Sequence, residues 1–194
     1  MTTAASKLPP MMTVADFLDW PGDGSGTRYE LVDGVLGAMA PASDTHNTIV
    51  MTIGRFIGNH LARERPGCRV VGSLGVQPRL RAEWNFRVQD LGVNCSPNRP
   101  GEIMTPDPIL LVEILSPGNA NDTWDNIPHH ASLPSVREIL AVHSTRVRAE
   151  ILRREADGSW PAHPAVLEVG ATIPLASMGA NSSIADFYAG TYLA

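Results

Sequence analysis

Lysine is almost absent from this chain. Of its 15 lysines and arginines only Lys7 is a lysine, so chemistry that needs an amine inside the folded body has no residue to use. Two cysteines, Cys68 and Cys95, are too few for a disulfide framework or a four-ligand zinc site. They are expected to be reduced thiols in a cytoplasmic protein. No apolar run approaches the roughly 18 residues of a membrane span, and Met1 to Pro10 lacks the apolar stretch of a signal peptide. There is no G-x-S-x-G elbow, and no glycine-rich phosphate loop follows a strand. These absences set aside a serine hydrolase and a nucleotide-binding enzyme. A net charge of −5 speaks against a strongly basic nucleic-acid binder.

What is there is an ordinary globular composition, 43% hydrophobic and 18% charged over 194 residues. One domain over 13–194 is expected, after a flexible tail at 1–12. Thr13 and Asp16 have the spacing of a helix start, and a short helix over 13–20 ends at Pro21. Asp33-Gly34 between apolar stretches signals a hairpin. From Ser43 or Asp44 apolar residues recur at helical spacing (Ile49, Ile53, Phe56, Ile57, Leu61), and the pattern stops at Pro66-Gly67. Extended segments follow at 68–80, with a break at Gly72 to Gly75, at 86–94 and at 109–115. A helix near 123–132, strands at 137–143 and 146–154, short extended pieces to 175 and a helical turn at Asp186 to Tyr188 complete a mixed α/β chain.

Glu113 interrupts the apolar run Ile109 to Leu115. An ionised carboxylate removed from water without a partner is costly. An arginine salt bridge or a partly exposed strand end would compensate it, and so would a divalent cation, which prefers oxygen ligands. Asp107 lies six residues upstream, about 20 Å along a strand, too far to share an ion. Asp90 in "FRVQDLGVN" belongs to the preceding extended segment and is the better partner, because neighbouring strands lie about 5 Å apart. Glu30, beside the hairpin, is a third candidate or a surface residue. His46 starts the long helix; a histidine bonded to backbone is the plainer expectation there, and a functional role is the alternative. Adjacent His129 and His130 make a poor chelate on a helix.

The segments "YELVDGVLGAMAP", "THN", "VQDLGV", "PILLVEILSP" and "LPSVREIL" resemble, in order and spacing, the Uma-two family of restriction-endonuclease-like proteins. That family looks like a branch of the PD-(D/E)xK nucleases. The resemblance implies a restriction-endonuclease-like mixed β-sheet flanked by helices, of α/β (α+β) class with an N-terminal hairpin. It implies a Mg²⁺- or Mn²⁺-dependent site that hydrolyses DNA phosphodiester bonds. Asp90 matches the first metal-binding aspartate, Glu113 the second acidic residue, and the Ile114 carbonyl a further ligand. Glu30 matches an acidic position that contributes a ligand or orients a water.

The chain departs from the pattern where charge is needed. The PD dipeptide is Gln89-Asp90, and Leu115 stands at the lysine position of ExK. The family's displaced lysine, in D-x-x-x-K after the strand, falls at Asn126, with Asp122 keeping the aspartate and His130 at a tyrosine position. Losing such a cation costs on the order of a hundredfold to a thousandfold in rate. Arg87 and Arg137 are the arginines to consider in its place, and Arg63, Arg65, Arg79, Arg81 and Arg87 are candidates for phosphate contact. Two readings follow: a metal-dependent endonuclease-like protein impaired at Asn126, and a catalytically inactive nuclease-fold binding or assembly module. The resemblance allows a homodimer, as in double-strand cutters, and involves no membrane.

Overall fold

The structure is a computed structural model that describes residues 11–117 and 120–194, with backbone alone over 120–123. Thr13 caps α1 (Val14–Asp19): its hydroxyl accepts from the Asp16 N–H, and the Asp16 carboxylate accepts from the Thr13 N–H. β1 (Tyr29–Val32) and β2 (Val35–Ala38) pair through Asp33 and Gly34, both left-handed at φ 50° and 85°. A two-residue hairpin turn of this hand requires that conformation. Ser43 caps α2 (Asp44–Glu64), which buries Ile49, Ile53, Ile57 and Leu61 along one stripe.

The body of the fold is a six-stranded sheet of β3 (Arg69–Val76), β4 (Arg87–Asn94), β5 (Pro108–Leu115), β6 (Glu138–His143), β7 (Arg148–Arg153) and β8 (Ala165–Glu168), in that spatial order. Only β5 and β6 run parallel, and the crossover between them is α3 (Ala120–Ala131). The α2 stripe packs with Leu91, Val93, Val112, Ile114 and Leu140 on one face. That core is closed by the hairpin of β9 (Thr172–Leu175) and β10 (Ala180–Ser183) and by α4 (Ile184–Phe187). Trp124 and Ile127 of α3 pack on Leu111, Ile139 and Leu152 of the other face. The expected class, a mixed sheet flanked by helices with an N-terminal hairpin, is the one observed. Among the described residues no helix is long and apolar enough to cross a membrane.

Two local expectations need correction. β3 does not break at 72–75: it stays paired to β4 on both sides of Ser73. Ser73 is left-handed at φ 50°, and Val71, Leu74 and Val76 all pack in the cluster under α3. The alternation of a strand therefore skips one step at Ser73. α3 begins at Ala120, three residues before its expected start. The tail expected at 1–12 lies outside the described residues up to Pro10, but Met12 is buried and donates its N–H to the Gly34 carbonyl.

The cysteines are also corrected. Arg69 opposes Asn94 at the end of the β3–β4 ladder, so Cys68 and Cys95 occupy the next opposing positions, and they form a disulfide. The register places the two thiols together across a sequence separation of 27. Closing a loop of that length is worth about 3.5 kcal/mol in the chain-entropy treatment. Cys68→Ser is expected to lower the thermal midpoint by roughly 7–14 °C for a chain of this size. Calorimetry with and without reductant measures it: reductant should shift the wild type by a similar amount and leave the variant unmoved.

Candidate active site

β4 and β5 pair from Asn94 and Pro108 up to Leu91 and Val112, and the register ends there. One step further, where Asp90 would face Glu113, the strands part. The Ile114 N–H then finds its acceptor in the Asp90 carboxylate, at 2.7 Å from Oδ2. The other oxygen, Oδ1, lies 3.0 Å from His46 Nε2 in the first turn of α2. His46 Nδ1 is in turn 3.4 Å from Ser116 Oγ, just past β5. A backbone group left open by the parting strands is thus satisfied by a side chain that arrives with a negative charge.

The N-terminal hairpin fills the edge that β5 vacates. β3 holds one edge of β4 as far as Arg87. The Leu31–Phe86 exchange, 2.8 and 3.0 Å, therefore joins β1 to the opposite edge. Glu30 enters between: its Oε2 accepts from the Val88 N–H at 3.3 Å, and its Oε1 lies 3.9 Å from Arg87 Nη1. Arg87 is 3% exposed and its Nε has no hydrogen-bond partner among the described residues. Burial lowers the Arg87 pKa, opposed by the carboxylates of Glu30, Asp33 and Glu113.

Glu113 is 8% exposed. Burial first, then the nearby carboxylates of Asp90 and Glu30, push its pKa well above the usual 4.5. From α3, His130 Nε2 approaches Glu113 Oε1 to 3.4 Å without the alignment of a hydrogen bond. Full burial, with Arg87 and His129 adding like charge, pushes His130 down to about 3, so it is neutral at pH 7 and the contact is not an ion pair. Asn126, half-buried, lies one helical turn before His130 and so on the same side of α3.

The family model for Uma2, described as "Putative restriction endonuclease", matches residues 14–184. The chain belongs to the Uma2 family. A relative from Synechocystis, named "Uncharacterized protein slr1290", is 27% identical over 153 residues, 78% of each chain. A solved structure titled as a putative nuclease belonging to DUF820, from Anabaena variabilis, superposes with a TM-score of 0.74 over 91% of this chain and 97% of that one. At 20% identity, that likeness shows the fold.

In this Uma2 chain the residues singled out by sequence fall into two groups. Asp90, Glu113, Glu30 and Ile114 converge where β4 and β5 part, and Arg87 joins them. Asp107 lies before the start of β5, at the other end of the strand from Glu113, and is exposed. Arg137 is exposed and donates its N–H to Ile109, four residues and about 13 Å of strand from Glu113. Arg63 and Arg65 lie 17 and 19 residues beyond His46 on and after α2, about 26 Å or more away. Arg65 also binds the Ser177 carbonyl. The Asp122 side chain falls outside the described residues.

His46 corrects the expectation of a helix-start histidine bonded to backbone. Its N–H does bond Ser43 Oγ, but its ring reaches Asp90. His130 was set aside as half of a poor chelate, and it reaches Glu113 alone. The signal for both was available in principle: each sits at a helical position whose stripe meets an acidic strand position.

A raised folded pKa means that Glu113 contributes stability fully present below its unfolded value of 4.5 and lost as pH rises through the folded value. In chelator-treated protein, Glu113→Gln is therefore expected to match the wild type near pH 4 and to exceed it at pH 8. Urea unfolding at the two pH values measures this. A variant less stable than wild type at pH 8 would contradict the direction of the shift.

Proposed function

We propose that this chain is a metal-dependent endonuclease-like protein that acts on DNA, with its site at Asp90, Glu113 and Glu30 in one restriction-endonuclease-like domain. The observation that carries the reading is the parting of β4 and β5, which leaves Asp90 beside Glu113 and brings Glu113 and the hairpin's Glu30 near one buried arginine, Arg87. Membership of a family described as "Putative restriction endonuclease" supports it.

The donor chemistry fits a hard divalent ion. Glu113 is held in a buried site where Asp90 and Glu30 disfavour its charge, which is the balance an added cation would reverse. Among the described residues no three His, Cys, Asp or Glu side chains are gathered tightly enough to hold an ion alone. Mg²⁺ commonly takes one or two carboxylates and completes its shell with water and substrate phosphate. Asp90 and Glu113 would hold Mg²⁺ or Mn²⁺ with the Ile114 carbonyl, and the ion would polarise the phosphate and lower the pKa of the attacking water.

The chain's own residues prepare that arrangement. His46 and the Ile114 N–H fix both oxygens of Asp90. Glu30 is anchored on the Val88 N–H and accompanies Arg87. Asn126 offers the phosphate or the water an amide donor without charge. Arg87 adds a positive charge from a buried position, but the lysine position itself is Asn126. A homodimer belongs to this reading, because cutting both strands with one such site per chain takes two copies.

The second reading, a nuclease-fold binding or assembly module without catalysis, is favoured by Asn126 at the lysine position and by the 3% exposure of Arg87. Calorimetry with Mg²⁺ and Mn²⁺ separates wild type from Glu113→Ala: binding in the low-millimolar range or tighter by the wild type alone is expected. Absence of binding by the wild type would overturn the nuclease reading. A plasmid-nicking assay then compares wild type with Asn126→Lys, and a gain of a hundredfold or more is expected from the restored cation. Equal activity in both would mean that the cation is supplied elsewhere.

A further inference from the structure

Beside the carboxylates, on the hairpin side, lies an open groove of about 320 Å³. Two aromatic pairs form its walls. Phe17 sits 5.3 Å from Phe86, and Trp20 meets Tyr29 edge-on at 5.2 Å, measured between ring centroids. Leu18 and Ile103 stand at the rim, 37% and 63% exposed. The charged group of the lining is Arg28, which donates to Ser73 Oγ at 3.2 Å, and no carboxylate lines the groove. Gly75 keeps its floor open to the crossing chain: a Cβ there would fall 2.6 Å from the Ile103 carbonyl and 2.6 Å from the Phe86 ring.

The groove and the carboxylates share their scaffold. Tyr29 of the groove precedes Glu30, and Val88 of the groove is the residue whose N–H Glu30 holds. Ser73 lies across from Asp90, between the register pairs Gly72–Leu91 and Leu74–Gln89. Neighbouring strands are about 5 Å apart, and successive nucleotides in a stacked strand rise by about 3.4 Å. A nucleotide one to three positions from a phosphate at Asp90 is thus within reach.

We propose that this groove binds an unpaired nucleobase of the DNA strand whose phosphate lies at Asp90 and Glu113. The inference rests on the nuclease reading and adds the form of the substrate. Flat aromatic and aliphatic walls suit the face of a base, which stacks on side chains regardless of its identity. A single arginine with no acidic neighbour in the lining suits the adjoining phosphate and tells against an acidic-lined peptide groove. A base inside an intact duplex is not available for such stacking. The substrate is therefore a single strand, a frayed or branched end, or a strand from which a base has turned out.

The test uses the full-length protein in Ca²⁺ and a 12-nucleotide single strand carrying one 2-aminopurine and a terminal fluorescein. Anisotropy of the fluorescein reports binding of the strand anywhere, and 2-aminopurine emission reports stacking of the base. The wild type is expected to bind and to quench 2-aminopurine, with a blunt duplex of the same sequence bound at least tenfold more weakly. Leu18→Glu and Arg28→Gln, both at exposed positions, are expected to weaken binding about tenfold and to remove most of the quenching. Ile103→Trp, which extends the wall, is expected to deepen it. Strand binding by wild type with 2-aminopurine unquenched, or with Leu18→Glu and Arg28→Gln both unaltered, would overturn the groove and leave the nuclease reading standing. No binding of single strand or duplex by the wild type would overturn both.

Discussion

Everything at the candidate site depends on β4 and β5 ceasing to pair after Leu91 and Val112. While two strands share a ladder, their facing backbone groups are satisfied and their side chains alternate between core faces. Once they part, a polar group must replace each lost partner. Asp90 does so for Ile114, and Glu30 does so for Val88. Both replacements are carboxylates, so satisfying the backbone also concentrates negative charge. β3 pairs with the other edge of β4 on both sides of Asp90, which keeps the opened strand in place. The left-handed Ser73 lets that strand change face beside the opening without losing its register.

The two helices that flank the sheet also serve the opening. α2 delivers His46 from its first turn to Asp90, and α3 delivers His130 from its last turn to Glu113. Each helix is fixed by an apolar stripe that has nothing to do with the site: Ile49, Ile53 and Ile57 for α2, Trp124 and Ile127 for α3. The positions of the histidines follow from core packing. The neutral His130 fits beside a Glu113 whose charge is disfavoured, whereas a cationic histidine there would have to be desolvated with it.

The sequence made the element order legible because the signals were local. The Thr13–Asp16 cap, the Asp33-Gly34 turn and the α2 stripe each depend on residues a few positions apart. Asp90 and Glu113 could be paired in advance because a charge in an apolar strand demands company. What stayed hidden depended on register. Whether Cys68 meets Cys95 is decided by Arg69 facing Asn94, which no local pattern states. The reach of His46 to Asp90 depends likewise on the angle at which α2 crosses the sheet. Family resemblance identified the acidic positions, and only the fold showed that Arg87 lies among them while Arg137 does not.

The scarcity of lysine gains meaning at this point. A lysine buried beside Glu30 and Glu113 would be pulled two ways, burial lowering its ammonium pKa and the two carboxylates raising it. A guanidinium stays charged under the same burial and is less strongly hydrated. Arg87, 3% exposed, is the kind of cation that such a position tolerates. One guanidinium does not balance the carboxylates of Glu30, Asp90 and Glu113, and after burial, the larger cause, that repulsion further raises the pKa of Glu113. The region is consequently built with an excess of negative charge that a proton satisfies at low pH and that a divalent cation would satisfy at neutral pH. A hard divalent cation would relieve the repulsion between the carboxylates, and a monovalent ion would do so only in part.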